Sequence, residues 1–463
     1  MDGSAATNPF LRGNFAPVRS EDDFELKVVG EIPAGLAGSL YRNGPNPQFE
    51  PDSDYHWFVG DGMIHGFHIE AGKVRYLNRW VRTPKWRLEH EAGRRLFNTW
   101  GDPRRTDPLA MGQDGGVANT NILWHGGRLL ALEEAHPATA LDPITLETQG
   151  YVDLGGKVTA HPKIDPDTGE MVFFAYMDDA VPFSNKVSYG VADAAGRLKR
   201  RETFEAPYTS MIHDFLVTEH YVLFPVLPLT GDFDRAMSGG PAFAWEPDKG
   251  AYVGVMRRDA SVDTIRWFST EANYVFHPMN AWEEDGRIVA DVMQYERAPL
   301  FPDANGQLGD NASARLARWT FDLSGASDHI KREYIDDLAG EFPRFDERRA
   351  GLAYRHGWWA AQTERSGEIR PDAIAHLDLA SGKRSVFELP FGDAVSEPVF
   401  VPRSASAEEG DGWVLAAAYS APEDRSELMV FEAQDVAAGP IATAQVPRRV
   451  PFGFHGNWRP AEG

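Results

Sequence analysis

Apolar and polar residues alternate over short runs along most of this chain, the period-2 pattern of strands that bury one face. Gly66-Phe67-His68-Ile69-Glu70 and Lys73-Val74-Arg75-Tyr76-Leu77, joined by Ala71-Gly72, predict a β-hairpin. Arg87 to Phe97 is one of few segments with helical spacing. Residues 1 to 35 read as an extended N-terminal arm. They feed Gly38 to Pro47, where turn residues crowd too densely for a regular element to be expected. Further on, Ser404 to Gly412 reads as an exposed loop before a strand from Trp413 to Tyr419.

A weak repeat runs through the hairpins. Leu141-Asp142, Phe321-Asp322-Leu323, Leu377-Asp378-Leu379 and Phe431-Glu432 each end a strand before a short polar turn, and the last three stand 56 and 54 residues apart. A period in the fifties with two hairpins per unit suits the four-stranded blades of a β-propeller, and six to eight such blades fill the chain. No shift in composition marks a boundary, so residues 1–463 are expected to form a single domain.

Composition narrows the functional classes. The chain has 463 residues, 42% of them hydrophobic, enough for a large core, and 44 glycines and 32 prolines fit many short strands and turns. A formal charge of −23 with no Lys/Arg cluster argues against nucleic acid as a partner, because phosphate binding needs clustered cations. With no cysteine there are no disulfides, thiolate metal sites or cysteine nucleophiles. The N-terminus lacks a basic start and an apolar core, and no uncharged run approaches the roughly 18 residues of a spanning helix, so a soluble, cytoplasmic protein is expected.

Four histidines share one local pattern. His161 in Val158-Thr159-Ala160-His161-Pro162, His213 in Ser210-Met211-Ile212-His213-Asp214, His277 in Tyr274-Val275-Phe276-His277-Pro278 and His455 in Phe452-Gly453-Phe454-His455-Gly456 each follow apolar residues and precede a residue that turns the chain. Their separations are 52, 64 and 178 residues, and 178 is close to three intervals of the same size. A radially repeated fold would deliver equivalent points of this kind to one axis. Neutral imidazole is the commonest metal ligand, and an all-histidine site with open positions suits Fe(II), Zn or Cu. His56, His65, His68, His90, His125, His136, His220, His329, His356 and His376 lack the pattern and read as structural or exposed. Gly60-Asp61-Gly62 is no phosphate loop, since no lysine and helix follow it.

The chain resembles the carotenoid cleavage oxygenase family over nearly its whole length. The likeness lies in Arg42-Asn43-Gly44-Pro45-Asn46-Pro47, Tyr55-His56-Trp57-Phe58, Gly60-Asp61-Gly62-Met63-Ile64-His65-Gly66, Ala118-Asn119-Thr120-Asn121, Thr159-Ala160-His161-Pro162-Lys163 and Ser396-Glu397-Pro398. The resemblance implies an all-β, seven-bladed β-propeller with a loop and helix cap. It also implies one Fe(II) per chain held by His161, His213, His277 and His455, and oxidative cleavage of a substrate C=C bond with O2 to two carbonyl products, without an organic cofactor. Three glutamates orient ligands in the family, and the matching positions are Glu134 for His213, Glu341 for His277 and Glu397 for His455. A ligating imidazole gives its second N–H to such a carboxylate, which fixes the tautomer and makes the metal-facing nitrogen more basic. Thr120 matches a residue whose methyl faces an open iron position.

Relatives that cleave hydroxystilbenes grip a phenolate with a tyrosine and a lysine, at positions matching Trp100 and Glu133 here, beside an aromatic wall residue matching Phe58. Phe58 fits the pattern and the other two depart from it. Glutamate cannot pair with a phenolate, and tryptophan offers an apolar face where a hydroxyl is expected. The expected substrate is therefore a conjugated, non-ionised alkene such as an apocarotenoid, with a stilbenoid or phenylpropenoid as the alternative. The chain is expected to be monomeric, and no apolar amphipathic helix marks a membrane anchor, so peripheral contact stays open. Two rivals from other classes are a propeller that only binds ligands and a hydrolytic metal propeller such as a lactonase.

Overall fold

The computed structural model describes residues 8–52, 55–98, 105–310, 312–363 and 370–461. Among them are seven antiparallel sheets of four or more strands and one two-stranded sheet, the architecture of a seven-bladed β-propeller. Contacts divide the chain into two compact units. One comprises Met1–Gly156, Glu364–His376 and Arg384–Gly463, and the other Lys157–Thr363 and Leu377–Lys383.

In the first unit, the predicted hairpin is present and longer than expected. Gly62–Glu70 pairs with Lys73–Trp80, and Ala71 (φ +48) and Gly72 (φ +77) supply the two left-handed turn residues that match the twist of the strands. Gly38–Pro45, expected to be irregular, is a fully buried strand between Gly62–Glu70 and the C-terminal strand Gly456–Pro460. Its glycines and asparagine sit there because neighbouring backbones approach closely, and pairing on both sides overrides their weak strand propensity. The N-terminal arm is not merely extended. Asp23–Glu25 pairs with Lys73–Trp80, and Lys27–Gly30 pairs with Ala442–Val446, so seven residues of the arm edge two different sheets.

A core of Leu40, Phe67, Val74, Trp413, Leu415, Leu428, Val430 and Ala444 lies between those two sheets, each residue 2% exposed or less. Burying each large aliphatic or aromatic side chain stabilises the unit by roughly 1.5–3 kcal/mol. The helix is Pro84–Ala92, three residues ahead of the expected start. The Thr83 hydroxyl accepts the Trp86 N–H, Pro84 opens the first turn, and Gly93 (φ +66) ends the helix left-handed before the spacing runs out.

The second unit holds the sheets Lys163–Ile164, Met171–Tyr176, Lys186–Ala192, Leu198–Glu205; Leu216–Val217, Tyr221–Val226, Ala251–Arg257, Arg266–Thr270; and Tyr274–Glu284, Arg287–Tyr295, Arg315–Asp322, Lys331–Tyr334. The repeated strand ends keep one station. Leu141, Asp322, Asp378 and Glu432 each close the third strand of their sheets. Asp142 accepts the amides of Ile144 and Thr145, Asp322 that of Ser324, and Asp378 that of Ala380, so the polar turn is an Asp-capped one. No helix among the described residues is long and apolar enough to cross a membrane.

Candidate metal centre

In the second unit three of the four patterned histidines meet. His161 lies two residues ahead of the first strand of its sheet, His213 three residues ahead of the next, and His277 within Tyr274–Glu284. His213 Nε2 is 3.1 Å from His161 Nε2 and 3.0 Å from His277 Nε2. His161 and His277 are buried and His213 half-buried.

Two irregularities aim this cluster. The register of Tyr274–Glu284 shifts on either side of Pro278, which turns His277 out of the regular alternation. A second shift, between Glu341 and Arg344 in Gly340–Phe345, accompanies Phe342 at φ +56. Glu341 Oε2 there accepts the Phe342 N–H at 2.6 Å and meets His277 Nδ1 at 2.5 Å, while the Phe342 ring stacks on the His277 ring at 5.3 Å. With its Nδ1 proton given to Glu341, His277 turns a lone pair from Nε2 toward His213. Three imidazoles with nitrogens this close suit a cation among them, and the donor set fits a borderline metal such as Fe(II). Burial first, then the charge of Glu341, push the Tyr295 phenol well above its ordinary pKa, so it stays a neutral hydroxyl at pH 7.

His161 has a partner that sequence reasoning missed. Its Nδ1 is 3.7 Å from Asp214 Oδ2, and Lys163 Nζ meets the other oxygen of Asp214 at 2.7 Å. The available signal was that Lys163 and Asp214 each stand within two residues of a patterned histidine.

In the first unit His455 has the same kind of support. Its Nδ1 is 3.0 Å from Glu397 Oε1, and Glu397 Oε2 accepts the Gly456 N–H at 2.8 Å, both side chains being about 95% buried. The His455 N–H goes to the Thr120 carbonyl at 3.1 Å. Arg42 is buried near Glu397, and burial pulls its guanidinium down to about 10 against the opposing pull of that carboxylate. Phe58 packs on His56 and, at 5.6 Å, on Phe454, the residue before His455.

Glu134 follows the strand Arg128–Leu132 and is half-buried. Its neighbour Glu133 is committed to the protein itself. One oxygen accepts the Val117 N–H at 2.8 Å and the Ala118 N–H at 3.5 Å, and meets His136 Nδ1 at 2.8 Å. Burial pushes the Glu133 carboxyl up, but His136 and the two amides outweigh it and hold the group below the usual carboxylate range. Trp100 lies outside the described residues.

A family model described as RPE65, retinal pigment epithelial membrane protein, matches residues 15–460. The chain belongs to the carotenoid cleavage oxygenase family. It is 38% identical over 472 residues to an isoeugenol monooxygenase of Pseudomonas nitroreducens, covering 98% of both chains. It is similar in structure to the Pseudomonas brassicacearum lignostilbene dioxygenase, with a TM-score of 0.94 and 35% identity over 98% of this chain and 99% of that one. It is also similar to the cobalt-substituted Synechocystis apocarotenoid oxygenase, with a TM-score of 0.85 and 31% identity over 96% and 97% of the two chains. As a member of this family the chain is an oxidoreductase that incorporates oxygen from O2 into an alkene substrate.

Proposed function

We propose that this oxygenase holds one Fe(II) through His161, His213, His277 and His455 and cleaves an aryl-conjugated C=C bond, of phenylpropenoid or stilbenoid type, to an aromatic aldehyde and a second carbonyl compound. The observation that carries the metal reading is the close set of three imidazoles backed by the His277–Glu341 contact at 2.5 Å. His455 joins the proposal because it repeats their sequence pattern and has its own carboxylate in Glu397. A relative crystallised with cobalt supports a metal at the family's centre.

Bound iron supplies O2 activation; the chain's part is to position and to exclude. Glu341 and Glu397 take the Nδ1 protons of His277 and His455, keeping those rings neutral and their Nε2 lone pairs inward. We assign Glu134 the same task for His213. Thr120 turns its methyl to an open coordination position and so limits where O2 and water reach. Phe58 offers an aromatic wall for the conjugated substrate.

The substrate class rests on full-length likeness to an isoeugenol monooxygenase and a lignostilbene dioxygenase. A second reading, a longer apocarotenoid-like substrate, is favoured by Glu133, which stands where phenol-cleaving relatives carry lysine. A single panel separates them. Iron-loaded protein is given isoeugenol, a hydroxystilbene and an apocarotenal under 18O2, and carbonyl products are read by mass spectrometry. Paired carbonyls from the first two support the proposal. Paired carbonyls from the apocarotenal alone replace it with the second reading, and turnover without O2 ends both.

A further inference from the structure

The irregular stretch Val117 to Asn121 is tied down at every residue. Ala118 sits at φ +47, a left-handed conformation that disfavours a residue with a Cβ by roughly tenfold. Asn43 Nδ2 donates to the carbonyls of Ala118 and Asn121, each at 2.9 Å. Asn119 Nδ2 donates to the carbonyls of Phe58 and Gly60, each at 2.8 Å. Gly62 lies so close that a Cβ there would fall 2.3 Å from the Ala118 carbonyl oxygen. Thr120 donates its hydroxyl to Asn119 Oδ1 at 2.9 Å and its amide to Leu132 at 2.9 Å, which fixes the rotamer and hence the direction of its methyl.

The group that secures the left-handed step is Glu133, through the Val117 and Ala118 amides. Behind it stands a relay of contacts. His136 Nδ1 meets Glu133 at 2.8 Å, His136 Nε2 is 3.6 Å from Asp114, and Asp114 accepts the Tyr151 hydroxyl at 3.0 Å. A carboxylate committed in this way to two amides and an imidazole has little left for a substrate.

We propose that Glu133 is a positioning residue: with His136 behind it, it clamps Ala118 in the left-handed conformation and so sets the direction of Thr120, without touching substrate. The proposal rests on the reading of Thr120 given under the proposed function. It predicts that residue 133 acts on the rate of the oxygen step and not on substrate affinity.

The test uses full-length, iron-loaded protein and three readouts: kcat, KM for the aryl alkene, and the EPR spectrum of Fe(II) with nitric oxide as a stand-in for O2. Glu133→Ala is expected to lower kcat about tenfold, the bias against a left-handed Ala, with KM unchanged. Its nitrosyl spectrum should shift as that of Thr120→Ala does. Adding Ala118→Gly should restore most of kcat, because glycine takes φ +47 without a clamp. If Glu133→Ala does not fold, Glu133→Gln serves, since it keeps the accepting oxygen; wild-type kcat and spectrum then support the clamp, and a raised KM overturns it. A changed KM in Glu133→Ala with wild-type kcat and spectrum, unaffected by Ala118→Gly, also overturns the proposal. If Thr120→Ala itself leaves kcat and spectrum untouched, the Thr120 reading fails and the proposal with it. If Thr120→Ala shifts both and Glu133→Ala neither, only the clamp fails.

Discussion

His277 and Glu341 stand 2.5 Å apart, and the oxygen that meets the imidazole also accepts the N–H of Phe342, a residue held at positive φ. Backbone strain is thus placed where it aims a carboxylate at a ring. Glu341→Gln should keep the side chain's size while removing the anion that orients His277. Iron retention is expected to fall about 10- to 100-fold, read as iron per chain after dialysis against graded chelator. Wild-type retention would remove Glu341 from the centre.

Single replacements of His161, His213, His277 and His455 by Ala test the ligand set itself. Each should lower the iron content of freshly loaded protein well below the roughly one per chain of the parent and abolish turnover, while the far-UV spectrum keeps its β-sheet form. Full iron content and activity in His455→Ala would reduce the proposed set to three.

A buried ion pair network supports the start of the helix Pro84–Ala92. Lys85 Nζ lies 2.6 Å from Asp61 and 2.9 Å from Glu89, and all three residues are 5% exposed or less. Burial works against the lysine's charge, but the two carboxylates reverse that and raise its pKa. Glu89 also accepts the amides of Leu96 and Phe97, so the network pins the segment that follows the helix. Lys85→Met would leave two carboxylates buried without a cation, at a cost of about 3–5 kcal/mol. A thermal melt should show the loss, and an unchanged melting temperature would mean that water already screens the pair.

Two histidines outside the proposed ligand set make stability depend on pH. Burial, with a further push from Arg42, holds His65 near a pKa of about 3, and burial holds His56 near about 4. In the unfolded chain both titrate near about 6.5. Between those values the unfolded chain binds more protons than the folded one. Stability is therefore full above about pH 6.5 and falls as pH drops toward about 4, by up to about 1.4 kcal/mol per pH unit for each histidine. Urea midpoints at pH 7, 6 and 5 measure the slope, and His65→Gln should flatten it by one proton's share. Parallel slopes in parent and variant would contradict this account.

What the sequence made legible follows the range of each signal. The turn Ala71-Gly72 and the strand-ending Asp142, Asp322 and Asp378 are local chemistry, readable within a few residues. The shared setting of His161, His213, His277 and His455 is readable because one station of the fold recurs. The strands Asp23–Glu25 and Lys27–Gly30 escaped notice because their partners stand about 50 and 415 residues away. Gly38–Pro45 was hidden by its own glycines and asparagine, which pairing on both sides overrides. Asp214 beside His161 and His136 beside Glu133 needed the chain to be folded before their partners could be named.

Substrate choice turns on the same Glu133. Phenol-cleaving relatives bear a lysine at that position, and here the carboxylate is spent on Val117, Ala118 and His136. Wild-type protein should therefore cleave a 4-hydroxystilbene and its 4-O-methyl ether with kcat/KM values within about threefold of each other, because no charge-assisted bond distinguishes them. Trp100→Tyr with Glu133→Lys would add a hydroxyl and a cation of the kind that stabilise a phenolate, a contact worth roughly 1.5–3 kcal/mol when desolvated. The double variant also loses the hold on Ala118, so its absolute rate should fall even as its preference changes. The ratio of phenol to ether is the informative quantity, since a slower oxygen step affects both substrates alike. It should rise about tenfold or more. A wild-type protein that already rejects the ether would place a phenol-binding group elsewhere in the channel, and an unchanged ratio in the double variant would remove positions 100 and 133 from substrate recognition.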